Sequence, residues 1–147
     1  MGIDFYAGCR CDEGAGECWH EPPDAPHWAY SGFHRFRTAV AATVGIDLER
    51  MEGFRVSYVP DVLGERSWDD VPEQARALIP FLNHSDCDDE LGPVECGTVA
   101  PALREAIERA WPGLGPEGHD VYDRCQGLDL VELMTWCAEH HVPLVFC

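Results

Sequence analysis

Apolar residues recur at helical spacing in several stretches of the chain. The first stretch follows Ser31, which can cap a helix, and ends at Gly45, which can terminate one. The apolar face of this predicted helix is formed by Phe33, Phe36, Val40 and Val44. Spacings of three and four residues place side chains on one face, so this segment is predicted to pack against a core.

Two further segments carry the same period. Residues 71–82 predict a helix that Pro80 would kink, because proline lacks the backbone donor. Its apolar positions are Ala75, Leu78, Ile79 and Leu82. After a polar loop, Val99, Leu103 and Ile107 recur at every fourth position and predict another helix with one buried face.

The last predicted helix runs from about Asp120 to His140. Its polar stripe is narrow and consists of Asp129, Glu132 and Glu139, whereas nearly every other residue from Leu128 to Ala138 is apolar. A helix with so little polar surface is expected to be mostly buried. We therefore predict that it forms the centre of the domain.

Short strands are predicted at both ends of the chain. Residues 2–6 and the terminal VPLVFC segment are rich in apolar residues and are expected to pair, and residues 54–59 predict a further strand. Residues 8–30 read as an irregular, cysteine-rich loop. We predict one helix-rich α+β domain over residues 1–147, with a small sheet formed by short terminal strands. Its hydrophobic content of 46% suffices for a core.

Charge narrows the range of functions. The formal net charge is -17, and all ten basic residues are arginines. An acidic chain repels phosphate backbones, so direct nucleic-acid binding is not expected, and cations or a basic host protein are the expected partners. The absence of lysine excludes Schiff-base chemistry and the lysine-dependent phosphate loops. No nucleotide cofactor is indicated.

The sequence also bears on location. No apolar run approaches the length of a membrane span, and the N-terminal segment does not resemble a signal peptide. We expect a cytoplasmic protein without membrane contact. Its eight cysteines are then expected to be free thiols or metal ligands rather than a disulfide framework.

An acidic connector, residues 84–95, lies between two predicted helices. Laid on the twelve-residue calcium-binding loop of an EF-hand, it has a histidine at ligand position one and acidic residues at positions three, five, seven and twelve. These positions fall on His84, Asp86, Asp88, Glu90 and Glu95. Calcium prefers six to eight hard oxygen ligands, and the seventh position supplies a backbone carbonyl. A Ca²⁺-like divalent cation is therefore the first candidate ligand.

The match departs from the EF-hand at two positions. His84 stands where an aspartate is expected, and Asp89 stands where glycine makes the sharp turn. Zn²⁺ is the second candidate cation, with His84, Cys87 and Cys96 as ligands. In a third interpretation the connector is only a structural turn, in which Glu95 caps the next helix.

Two other segments contain candidate binding residues. The N-terminal loop contains five potential zinc ligands without a Cys-x-x-Cys pair, namely Cys9, Cys11, Cys18, His20 and His27. In HWAYSGFHRFR, a helix N-terminus coincides with His34, Arg35 and Arg37, which together form a candidate anion-binding site. The alternatives are ordinary cysteines and arginines paired with the protein's own carboxylates.

Four segments resemble a group of small proteins of actinobacteria and their phages to which no activity is assigned. They are MGIDFYAG, HWAYSGFHRFR, NHSDCDDELGPVEC and PLVFC. The resemblance implies glycine where Asp89 stands and glutamate where Val94 stands, so the usual form of the connector is closer to an EF-hand. It implies a source but no mechanism.

Three hypotheses of function remain. The first is a small non-catalytic module that binds a metal ion of the calcium type. The second is an acidic phage or prophage protein that inhibits a nucleic-acid-binding host enzyme. The third and weakest is a small metal-dependent hydrolase, for which no catalytic residue stands out.

Overall fold

The computed structural model describes residues 2–8, 22–54, 64–84, 89–113 and 118–146. Within these ranges the chain forms four strands and four α-helices. The strands are β1 (Gly2–Ala7), β2 (His27–Ala29), β3 (Asp89–Leu91) and β4 (Leu144–Phe146). The helices are α1 (Tyr30–Thr43), α2 (Ile79–Leu82), α3 (Pro93–Ala110) and α4 (His119–Glu139). The predicted helix-rich α+β fold is confirmed.

The four strands form one antiparallel sheet in the order β2-β1-β4-β3. The predicted pairing of the terminal segments is confirmed, since Phe5 lies opposite Phe146 at the centre of the sheet. Strands β2 and β3 were not predicted. Each is only three residues long and lacks the apolar run that predicted β4, and each forms by pairing with a strand far away in the sequence.

An aromatic cluster fills the space between the sheet and the helices. Ile3 and Phe5 alternate with exposed residues along β1, so both point into the core. Phe36 of α1 stacks on Trp111 with ring centroids 5.5 Å apart and planes at 7°. The other aromatic members of the core include Phe5, Trp28, Phe33, Phe81 and Phe146.

Helices α3 and α4 pack along each other and provide the largest contact between elements. The predicted buried faces are confirmed, because Val99, Leu103 and Ile107 of α3 are all inaccessible to solvent. Helix α4 lies so close to α1 that a Cβ atom at Gly127 would be 2.6 Å from Phe36 Cε2. Only glycine permits this approach.

Two helix boundaries differ from the prediction. The chain enters α1 directly from β2, so Ala29 is the N-cap and Ser31 lies in the first turn rather than capping it. The predicted helix over 71–82 begins as a 3-10 helix, Glu73–Leu78, and becomes α-helical only at Ile79. Pro80 accounts for this change of helix type, because it cannot donate a hydrogen bond to the preceding turn.

Part of the sequence prediction lies outside the described residues. The predicted strand at 54–59 falls almost wholly in 55–63, which the structure does not describe. Among the helices of the described ranges, none combines the length and the apolar content needed to cross a membrane.

Candidate functional site

The acidic connector leads from α2 to α3 and includes β3. Residues 85–88 are outside the described ranges, so the predicted ligands Asp86 and Asp88 are too, as is Cys87. The structure does describe His84, Glu90 and Glu95 at the two ends of the connector. Strand β3 pairs with β4, with Glu90 opposite Val145, and this pairing fixes the second half of the connector to the sheet.

The first and seventh positions of the connector face each other. His84 Nε2 donates a hydrogen bond to the carbonyl oxygen of Glu90 over 3.2 Å. The His84 ring also stacks on Phe146, with centroids 4.0 Å apart and planes at 27°. The Glu90 carbonyl, at the seventh position of the EF-hand pattern, is thus hydrogen-bonded to the residue at the first position.

The twelfth position lies in the first turn of α3. Glu95 Oε1 accepts a hydrogen bond from the backbone N–H of Gly92 over 3.2 Å, and Gly92 is the N-cap of the helix. This contact is the glutamate half of a capping box. It holds the carboxylate back against the connector and satisfies one amide at the helix start, as the structural interpretation predicts.

A buried guanidinium lies at the entrance of the connector. Arg37 of α1 is only 1% exposed, and its Nη1 donates to the carbonyl oxygen of His84 over 2.8 Å. Its guanidinium carbon lies 4.7 Å from the centre of the Phe33 ring, a cation–π distance. A permanent positive charge is therefore hydrogen-bonded to His84, the residue at which the acidic connector begins.

The structure does not bring the predicted anion-binding residues to a common point. Arg35 forms a bidentate pair with Asp123 of α4, through Nε at 2.9 Å and Nη2 at 3.1 Å. Hydrogen bonding to Asp123 raises the pKa of Arg35. His34 Nε2 lies 3.6 Å from Glu49 Oε1, and Arg37 faces the connector. Each side chain thus has a different protein partner, and the anion site stays a prediction.

A second imidazole is firmly positioned at the edge of the sheet. His27 Nδ1 lies 2.6 Å from Asp4 Oδ1, across the β1–β2 pair. The His27 backbone N–H donates to Gln126 Oε1 over 2.9 Å, and its carbonyl accepts from the Tyr122 hydroxyl. A histidine that donates Nδ1–H to a carboxylate has its other nitrogen set for a metal, as in many zinc sites.

The remaining candidates of that zinc site cannot be placed beside His27. They lie outside the described residues and are Cys9, Cys11, Cys18 and His20. Across the described parts of the chain, no three His, Cys, Asp or Glu side chains are grouped closely enough to hold a metal ion. Both metal sites therefore stay predictions, because the structure describes only some of their residues.

Cys96 has a position that disfavours its role as a zinc ligand beside His84. Its side chain is buried on α3, and its thiol donates to the carbonyl oxygen of Leu91 over 3.6 Å. The neighbouring Cys137 thiol of α4 and burial raise the pKa of Cys96. The sequence contained no sign of this thiol pair, because the two cysteines meet only through the packing of α3 on α4.

Comparison with protein-family models, with curated proteins and with solved structures finds no match.

Proposed function

We propose that the protein is a non-catalytic module that binds a divalent cation of the calcium type at the acidic connector. The observation that carries this proposal is the 3.2 Å contact between His84 and the carbonyl oxygen of Glu90. In the EF-hand pattern these are the first and seventh ligand positions, and both must approach the same ion. Their contact brings the two positions together, and a bound ion would replace the hydrogen bond between them.

The cap at the start of α3, which the structural interpretation also predicts, is compatible with the proposal. Glu95 is folded back against Gly92, at the ninth position of the same pattern, through one of its two carboxylate oxygens. The amides of a helix N-terminus and a carboxylate in the first turn attract each other, which favours this orientation. Asp86 and Asp88 would supply the remaining carboxylates from the part of the connector that the structure does not describe.

The choice of cation follows from the ligand types. Carboxylates and a carbonyl oxygen are hard ligands and favour Ca²⁺, whereas Zn²⁺ prefers imidazole and thiolate. The burial of Cys96 and its hydrogen bond to the carbonyl oxygen of Leu91 favour the hard cation over zinc. Because His84 is a poor calcium ligand, we expect weaker affinity than in a loop with aspartate at its first position.

We further propose a cytosolic location. Three cysteines of the described residues, Cys96, Cys125 and Cys137, are free thiols. A reducing compartment keeps thiols in this state, which supports the cytosol.

Thermal melting tests the proposal. An ion that binds the folded state preferentially raises the melting temperature, so millimolar CaCl₂ should raise it relative to the same buffer with a chelator. The double substitution Asp86→Asn and Asp88→Asn should abolish the rise, because it removes two ligands. An equal response to calcium in the wild type and this variant would contradict the proposal.

A matched control separates specific binding from general screening of the -17 charge. Asp69 and Asp70 are adjacent exposed acids in a 3-10 turn that lies outside the connector. The double substitution Asp69→Asn and Asp70→Asn changes the net charge by the same amount as the connector variant. We expect this control to retain the full calcium response.

A second candidate function is an acidic interaction protein that occupies a nucleic-acid-binding host enzyme. Four arginines, at positions 35, 50, 76 and 109, form ion pairs with carboxylates of the chain itself. This internal pairing favours a negative outer surface that would attract a basic partner. Binding to the isolated enzyme, weakened steeply by salt, would support this alternative.

A further inference from the structure

A groove that is open to solvent, the α3–α4 groove, runs along the line where these two helices pack on each other. It has a volume of about 500 Å³, and the described residues that line it belong to these two helices alone. Ala100 and Val131 form its floor, because they line it and are only 3% and 1% exposed. Pro101 and Thr135 line it as exposed residues. The groove therefore offers an apolar surface that a second molecule can cover.

The α3–α4 groove is long enough for an α-helix. Its lining residues on α3 extend from Gly97 to Glu108, which at 1.5 Å per residue corresponds to about 16 Å, or three helical turns. At one end a Cβ atom at Gly97 would lie 3.5 Å from Ala138 Cβ. Residues this small leave room for the side chains of a third helix to enter between α3 and α4.

The rim of the groove is negatively charged. It is lined by three glutamates and one arginine, namely Glu105, Glu108, Glu139 and Arg104. Glu105 forms an ion pair with Arg109. Among the described residues, neither Glu108 nor Glu139 has an ion-pair partner. Both carboxylates are therefore available to cations of a partner.

The two available carboxylates mark opposite ends of the groove. Gly97 of α3 faces Ala138 of α4, whereas Gly127 of α4 faces Ile107 of α3, so the two helices run antiparallel. Glu139 therefore lies at the Gly97 end of the groove, and Glu108 lies at the other end. A bound helix that carries a cation near each of its own ends matches this arrangement.

Charge also decides between the possible occupants. A second copy of the chain would bring its own acidic rim against this one, and both copies carry a net charge of -17. A nucleic acid would be repelled through its phosphates. A basic polypeptide complements both the apolar floor and the acidic rim.

We propose that the α3–α4 groove binds a basic amphipathic helix of a partner protein. The apolar side chains of that helix would cover Ala100 and Val131, and its lysines or arginines would pair with Glu108 and Glu139. Helices bound in this way use apolar anchors at positions i, i+3 or i+4, and i+7, which fit within three turns. The proposal does not rest on cation binding, since none of the described connector residues lines the groove.

A designed peptide tests the proposal on the whole chain. The probe is a fluorescently labelled peptide of two leucine–lysine heptads, which encodes a basic amphipathic helix slightly longer than the groove. Its anisotropy is measured at physiological ionic strength with a chelator present, so that a cation at the connector plays no part. We expect saturable binding of one peptide per chain. The matched peptide with glutamate in place of lysine should not bind.

Two threonines distinguish binding in the groove from binding elsewhere. Thr135 lines the groove, whereas Thr98 of α3 does not. Both are exposed helical residues, and each hydroxyl donates to the carbonyl oxygen four residues earlier in its own helix. We expect Thr135→Trp to weaken peptide binding by at least about tenfold, because the indole occupies the groove. The matched control Thr98→Trp should bind the peptide like the wild type.

A second pair of variants tests the charges of the rim. Glu108→Gln with Glu139→Gln should weaken binding by about fivefold and reduce its dependence on salt, because two exposed charge pairs are lost. Asp69→Asn with Asp70→Asn removes the same charge outside the groove. This control should retain the wild-type affinity for the peptide.

Several results would overturn the proposal. One is the absence of binding between the wild type and the lysine peptide at millimolar concentration. Another is equal weakening by the two charge variants or by the two tryptophan variants, since the peptide would then bind outside the groove. A wild-type dimer that Thr135→Trp dissociates would assign the groove to a second copy of the chain. If Thr135→Trp does not fold, the charge variants alone decide.

Discussion

Two aspartates of α4 occupy environments of opposite kind. Asp123 is buried, and its carboxylate accepts from Arg35 and from Trp28 Nε1, the latter over 3.1 Å. These bonds join α4 to α1 and β2 and compensate the buried charge. Asp129 is only partly buried, but it is repelled by the carboxylates of Glu132 and Asp24. Burial and these two acids raise the pKa of Asp129 above its ordinary value of 3.8.

The raised pKa of Asp129 predicts that removing its charge stabilises the folded protein by an amount that depends on pH. A carboxyl whose pKa is higher in the folded state contributes stability below 3.8 that is lost as pH rises through the folded value. Asp129→Asn cannot ionise, so we expect it to melt at a higher temperature than the wild type at neutral pH. The difference should shrink towards zero below pH 3.8.

A comparison of melting curves over this pH range checks the prediction. Glu139→Gln, at an exposed position of the same helix, is the control and should change the melting temperature little at any pH. A destabilised Asp129→Asn variant at neutral pH would contradict the environment described for Asp129.

At the scale of elements, two glycines in helices test how closely α4 packs on α1. A Cβ at Gly127 would lie 2.6 Å from Phe36 Cε2 and 2.9 Å from Ile107 Cδ1, whereas one at Gly97 of α3 would lie 3.5 Å from Ala138 Cβ. We expect Gly127→Ala to lower the free energy of unfolding by about 1–3 kcal/mol through overpacking.

The matched substitution should have the opposite sign. Gly97→Ala meets only ordinary van der Waals contact and should raise the free energy of unfolding by up to about 1 kcal/mol, because alanine favours the helix. Urea unfolding of both variants measures the two changes. Equal effects at the two positions would show that α4 does not approach Phe36 as described.

The long elements were predictable because their apolar residues repeat over several turns. The stripe of Val99, Leu103 and Ile107 predicted α3, and the apolar run after Leu128 predicted α4. The prediction that α4 is mostly buried was wrong, because only one face of the helix is buried. Strands β2 and β3 were not predictable, since neither is part of an apolar run like the one that predicted β4, and their pairing partners lie far away in the sequence. The helix predicted over 71–82 is α-helical only over Ile79–Leu82, because Pro80 cannot donate a hydrogen bond to the preceding turn.

Some features of the candidate sites were likewise predictable from the sequence, and others were not. The spacing of His84, Glu90 and Glu95 was readable from the sequence, because loop ligands follow one another along the chain. The buried position of Arg37 at the connector was not, since an arginine in a helix N-terminus equally predicts an anion site. The burial of Cys96 and Cys137 depends on how α3 packs on α4, and no local sequence pattern encodes that packing.

At the scale of the whole molecule, the surface charge limits the partners. With a net charge of -17, the protein should not bind duplex DNA at physiological salt, because its ten basic residues are outnumbered by 27 acidic ones that repel phosphates. Fluorescence anisotropy of a labelled duplex checks this expectation. Tight binding to DNA that weakens with salt would contradict the charge distribution inferred for the surface.

The central claim is that the connector holds a divalent cation, and metal stoichiometry tests it most directly. The metal-free protein is dialysed to equilibrium against calcium at physiological ionic strength, and elemental analysis then gives the bound metal per chain. We predict about one calcium ion per wild-type chain, as a single EF-hand-type loop binds. Asp86→Asn with Asp88→Asn should retain none, and Asp69→Asn with Asp70→Asn should match the wild type. Wild-type protein without bound calcium, or with the same amount as the connector variant, would contradict the account.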